Sequence, residues 1–165
     1  WLRELQGEHV PETEEYGISS FTYRTSRPFD ALKLEAFFHD RPTWDGILRS
    51  KGFFWIAADH AMAYEWAQAG GVGHVRQAGT WWAAVPRAQW PHPEGQTPDL
   101  QPTWHERFGD RAQQLVFIGQ SMDEAAIRAR LDACLLDDEI ARASSDLWAS
   151  LPNPFAPPSP VEGIA

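Results

Sequence analysis

The sequence predicts an α+β domain of two layers, a mainly antiparallel sheet with helices packed on one face. Three observations carry this. Several segments alternate apolar and polar residues with the period of a half-buried strand. Two segments, 30–40 and 122–136, carry single apolar stripes at helical spacing, and Gly-rich turns separate the central strands. The chain has 165 residues, 43% of them hydrophobic, which is enough for one domain with a substantial core.

Ile18 to Arg24 alternates, with Phe21 and Tyr23 on one face and Ser20 and Thr22 on the other, and reads as a strand. Arg27-Pro28-Phe29 turns the chain, and Asp30 caps a helix that buries Leu34, Phe37 and Phe38. Ile47 to Ala58 is rich in β-formers, with a bulge or a close backbone approach expected at Gly52. Met62, Tyr64 and Trp66 alternate with Ala63, Glu65 and Ala67 as a further strand. Gly70-Gly71 turns the chain into Val72–Ala78, and Thr80 to Val85 completes a meander. Five prolines between Pro86 and Pro102 exclude regular structure there. Leu115-Val116-Phe117-Ile118 suits a strand buried on both faces, ended by Gly119. Ser121 and Glu124 form a capping box for the second helix, whose stripe is Ile127, Leu131, Cys134 and Leu135. Asp138 to Ala143 adds a helical turn or two.

By this reading residues 1–17, with their acidic Pro11-to-Gly17 stretch, are a linker, 18–145 the domain and 146–165 a Pro-rich tail, extended or disordered from 152 onward. A chain starting at Trp1 reads as the continuation of something longer.

Composition excludes several functions. A net charge of −9, with Lys33 and Lys51 the only lysines, argues against binding a phosphate backbone. No run approaches the roughly 18 apolar residues that span a membrane, and no signal peptide opens the chain. Cys134 is the only cysteine, so no internal disulfide can form, and a cytoplasmic setting suits the chain. The Gly-x-x-x-x-Gly-Lys-Ser/Thr phosphate cradle is absent, as are Gly-x-Ser-x-Gly and His-Glu-x-x-His. The histidines are dispersed without i, i+2 or i, i+4 metal spacing, leaving His92, His105 and Glu106 as a set that only the fold could assemble. No catalytic, cofactor-binding or metal-ligating residue is assigned.

The remaining candidates are partner contacts. Arg49 and Lys51 share a strand face, either solvated, or engaged by a partner or by an ion pair with Asp110 or another carboxylate near the central strand. Asp110 and Arg111 precede the buried strand, where a turn held by a local Asp–backbone hydrogen bond accounts for them equally well. Trp81 and Trp82 are adjacent and on a strand face opposite ways, so one of them, Trp82 in this reading, can contribute to a contact surface. Nine tryptophans also fit a carbohydrate-stacking face, which makes a free-standing Trp-rich ligand-binding module the alternative.

Four ordered motifs resemble one family. They are Gly109-Asp110-Arg111 with Leu115 to Gly119 and Leu131 to Leu136; Ile18 to Arg24 with Arg27-Pro28-Phe29; Arg49-x-Lys51-Gly52; and Trp81-Trp82-Ala83. Over about residues 15–140 the chain resembles the C-terminal domain of the CobW family of GTPase metallochaperones. Many relatives carry histidine after Arg-Pro-Phe; Asp30 stands here and weakens any metal role for that position. The resemblance implies an accessory half whose N-terminal GTPase half holds the GTP, the magnesium and the zinc or cobalt. It implies, as partners, that GTPase half, a client metalloprotein such as a nitrile-hydratase-type enzyme, and a second subunit, with no nucleic acid and no membrane.

Overall fold

The computed structural model describes residues 17–90 and 104–157. Five strands, β1 (Ile18–Thr25), β2 (Ile47–Phe54), β3 (Met62–Ala69), β4 (Val72–Thr80) and β5 (Gln113–Gln120), form one antiparallel sheet in the order β1-β5-β2-β3-β4. The helices are α1 (Ala31–His39), α2 (Glu124–Ala133) and two short ones, α3 (Asp138–Ala141) and α4 (Ser145–Ala149).

Alternation sorts the sheet into two faces. Phe21, Tyr23, Leu115, Phe117, Phe54, Tyr64 and Trp66 point one way and form the main core with Leu34 and Phe37 of α1 and Ile127 and Leu131 of α2. Tyr23 Oη donates to Asp132 Oδ1 at 2.7 Å, fastening α2 to β1. Gly52 answers to close approach rather than a bulge, since a Cβ there would strike the Gln114 carbonyl of β5. The bulge lies nearby, between Ile47 and Arg49.

Helix α1 starts as expected, with Asp30 accepting from the Leu32 and Lys33 amides at 3.0 and 3.1 Å. Helix α2 does not. Ser121 adopts φ 56°, which continues the turn out of β5, and Asp123 takes the cap by accepting from the Ala126 amide at 2.9 Å. Glu124 reaches forward to Arg128 at 2.7 Å instead of back to the expected cap.

Four further expectations are corrected. Thr80 to Val85 is not a strand: β4 stops at Thr80 and Trp82–Ala84 is a 3₁₀ turn, because Asp110 accepts from the Trp82 and Ala83 amides, both at 2.9 Å. That bond spans 27 and 28 residues, so it is not the local turn bond expected of Asp110. Ile118 is only half-buried, so the run from Leu115 is covered on both faces for three residues, not four. Residues 146–157 pack on the domain. Trp148 joins Trp55, Phe108 and Leu136 in a second cluster, and Phe155 lies 5.7 Å from Phe54 and 6.1 Å from Tyr64. Aromatic area outweighs the local prolines there. The expected linker, except Gly17, most of the Pro86–Pro102 loop, His92 and the end of the tail lie outside the described residues.

Candidate interaction surface

Among the described residues, the face of the sheet opposite α1 and α2 contributes none to either apolar cluster, although Val116 and Glu65 on it are buried. Strand register arranges it in rows. One runs Arg24–Gln114–Phe53–Glu65–Arg76 across all five strands, the next Thr22–Val116–Lys51–Ala67–His74, and the third Ser20–Ile118–Arg49–Ala69–Val72. Four cations, Arg24, Arg49, Lys51 and Arg76, thus share one surface, and Glu65 is the one carboxylate in the five strands.

Glu65 is the buried centre of this charge. Lys51 Nζ lies 3.0 Å from Glu65 Oε1, and the Arg76 guanidinium grips Oε2. Burial pushes the Glu65 carboxyl upward, but the hydrogen bonds and charges of Lys51 and Arg76 outweigh it and hold the carboxyl below its ordinary range. Of the readings open to these two cations (a solvated face, a partner contact, or an ion pair with Asp110 or another carboxylate near the central strand), Lys51 takes the ion pair, with Glu65, while Arg49 beside it is exposed. Glu65 and Arg76 escaped the sequence analysis. Their signal was alternation in Met62–Ala69 and Val72–Ala78, but the register that aligns them with Lys51 is not written there.

Beyond the rows, where β2 and β4 end, the same face opens into a groove of about 1000 Å³ lined by Arg24, Phe53, Trp81, Trp82, Trp104 and Asp110. Trp81 Nε1 donates to the Met62 carbonyl at 3.0 Å, and Trp82 meets Trp90 edge-on at 5.7 Å. Asp110 forms the floor through its bonds to the Trp82 and Ala83 amides.

Arg111 belongs to a different environment. It is buried, its Nε donates to the His60 carbonyl at 2.5 Å and its Nη1 to Phe108 O at 3.1 Å, and its guanidinium lies 5.6 Å from the Trp55 ring centre. Burial lowers its pKa against the opposing charge of Asp110. The structure therefore brings Arg49, Lys51, Trp82 and Asp110 onto or beside one surface and places Arg111 behind it.

No group of three or more His, Cys, Asp or Glu able to hold a metal occurs among the described residues. His105 Nδ1 is occupied by the Arg107 and Phe108 amides at 3.1 and 3.2 Å, and His39 Nδ1 contacts the Glu35 carbonyl at 2.9 Å. Cys134 is buried on the α2 side of the core, and burial pushes its thiol up to about 11. No described helix is long and apolar enough to cross a membrane.

An antiparallel sheet with helices packed on one face places the chain in the α+β class. Residues 18–135 match the cobalamin synthesis protein cobW C-terminal domain, and the chain belongs to that family. It is 39% identical over 157 residues to zinc-regulated GTPase metalloprotein activator 1 of Dictyostelium discoideum, covering 94% of this chain and 33% of that protein. A zinc chaperone of Mycobacterium tuberculosis is 32% identical over 146 residues, covering 86% of this chain and 34% of that protein. The chain thus spans about a third of the curated relatives it matches. Its fold is shared with the Zn(II)-bound YjiA GTPase of E. coli, at a TM-score of 0.53 and 17% identity over 76% of this chain and 34% of that one.

Proposed function

We propose that this chain is the non-catalytic accessory domain of a cytoplasmic, GTP-dependent metallochaperone that handles zinc or cobalt. In this reading an N-terminal GTPase half holds the GTP, the magnesium and the metal. The present domain packs on that half, reads its nucleotide state and contacts a client metalloprotein or a second subunit. The observation that carries the reading is the end-to-end similarity to relatives named as a zinc-regulated GTPase activator and a zinc chaperone, of which this chain matches one third. Arg49, Lys51, Trp82 and Asp110 are the proposed contact residues, with Arg111 supporting them from behind. Titration of the purified chain against the GTPase half of the same protein, loaded with GDP or with a non-hydrolysable GTP analogue, tests it. Affinity that differs between the two states is expected; no association in either state would overturn the reading.

The alternative of a carbohydrate module has one specific support, the groove lined by Trp81, Trp82 and Trp104. Saccharide binding that quenches tryptophan fluorescence and is lost in Trp82→Ala would favour it over the accessory role.

A further inference from the structure

We propose that a pocket of about 240 Å³, lined by Arg87, Arg107 and Arg111 with Trp90, Trp104 and Glu106, binds a small doubly charged oxyanion of the phosphate type. This goes beyond the accessory role and does not depend on it. Arg111 carries the argument. It is 8% exposed, and a charge so far withdrawn from water is ordinarily paired. Among the described residues no carboxylate lies within ion-pair distance of it. Asp110 beside it spends both oxygens on the Trp82 and Ala83 amides. Arg111 Nε and Nη1 donate to the His60 and Phe108 carbonyls, which leaves Nη2 without an acceptor among the described residues, and that nitrogen is not sealed from solvent. Arg111 thus lacks a counter-ion, and the pocket it lines is the space in which one can reach it.

Two further guanidiniums border the same space. Arg87 lies over the Trp90 ring at 4.1 Å and over the Trp104 ring at 5.4 Å from their centres. Stacking holds this guanidinium by its face and consumes none of its N–H donors, which have no acceptor among the described residues. Arg107 spends Nε and Nη2 on the Ala141 and Ala143 carbonyls at 3.2 and 3.0 Å, which pins the group and leaves Nη1 over. Three permanently charged arginines against the one carboxylate of Glu106 give the pocket an excess of two positive charges. A doubly charged oxyanion balances that excess, and guanidinium forks match its oxygens in geometry. The pocket has room for a single such group, not for a nucleic-acid backbone, which the net charge of −9 also opposes.

Isothermal titration of the whole chain with sodium phosphate, in phosphate-free buffer at fixed ionic strength, tests the proposal. Tryptophan fluorescence is a second readout, because Arg87 stacks on Trp90 and Trp104. One saturable site per chain is expected, weakened about tenfold or more in Arg87→Gln, in keeping with the loss of a charged hydrogen-bond donor. Arg87 is exposed, so that variant separates binding from folding, which Arg111→Gln would not; Arg107→Gln, also at an exposed position, repeats the test, and circular dichroism checks both folds. Glu106→Gln should bind phosphate more tightly, an effect that a merely structural role for the arginines would not produce. Phosphate should also raise the thermal midpoint of the parent chain by more than that of Arg87→Gln, a comparison that removes the general stabilisation phosphate gives by exclusion from protein surfaces. O-phosphoserine run beside inorganic phosphate distinguishes the source: tighter binding of the amino acid assigns a phosphoryl group carried on a larger molecule, tighter binding of the ion assigns free phosphate, and either upholds the site. No saturable binding, an affinity unchanged in folded Arg87→Gln and Arg107→Gln, or acetate binding as tightly as phosphate would overturn it.

Discussion

Glu65 is a carboxylate that burial alone would destabilise, and two cations reverse the sign. Because its pKa is lower folded than unfolded, its contribution is present above the unfolded value of about 4.3 and is lost as pH falls through the folded one. Glu65→Gln should therefore cost about 1 kcal/mol or more at neutral pH, and its stability should converge with that of the parent chain in acid. Urea melts along a pH series check this; a difference that stays constant down to the acid limit would mean the charge contributes nothing. Gln113 shows another residue-scale economy. Fully buried, it accepts from the Trp55 amide at 2.9 Å and donates to the Arg27 and Trp55 carbonyls, both at 2.8 Å, tying the start of β5 to the end of β2. Gln113→Leu preserves volume but strands those groups, so a loss of about 2 kcal/mol or more is expected in denaturant melts. Neither residue stands out in the sequence, because a partner 58 positions away leaves no local pattern.

At the scale of elements, the strand–helix contact is borne by the inward side of β5 only. Leu131 of α2 is fully buried against it, so Leu131→Ala should cost about 2–5 kcal/mol. Ile118 points to the open face and is half-buried, so Ile118→Ala should cost less than about 2 kcal/mol. Chemical denaturation of the pair ranks them, and equal losses would mean that Ile118 is as well covered as Leu131. The strands and both main helices were legible because period 2 and period 3.6 are imposed by burial on one side, and each segment reports its own burial. The segment Thr80–Val85 was not. Its residues favour a strand, yet Asp110, far along the chain, takes the Trp82 and Ala83 amides out of the ladder. The α2 cap failed for a related reason: Ser121 fits the capping pattern, but its backbone is committed to the turn out of β5.

At the scale of the whole molecule, the α+β class and the family were both readable, the class from patterning and the family from motifs spread over most of the chain. The insertion of β5 between β1 and β2 was not readable, since strand order is decided by which apolar faces fit together. Nor was the gathering of the strand cations around Glu65, which needs the register as well as the composition. The accessory role predicts that the purified chain neither turns over GTP nor carries stoichiometric zinc. A phosphate-release assay and elemental analysis after chelator-free purification check both, and turnover above a buffer blank or one zinc per chain would contradict it.

Trp148 and Phe155 lie past residue 135, where the match to the family model ends, yet Trp148 closes the second aromatic cluster and Phe155 leans on Phe54 and Tyr64 of the main core. The unit that folds is therefore longer than the stretch the family model spans, and residues 146–157 act as a clasp over one end of the sheet. A protein cut after Ala143 should expose Trp55 and lose about 3 kcal/mol or more, the order expected for removing one large buried aromatic side chain, with a matching drop in its thermal midpoint. Changes confined to this clasp would alter the durability of the domain without touching the strands that bear its charge.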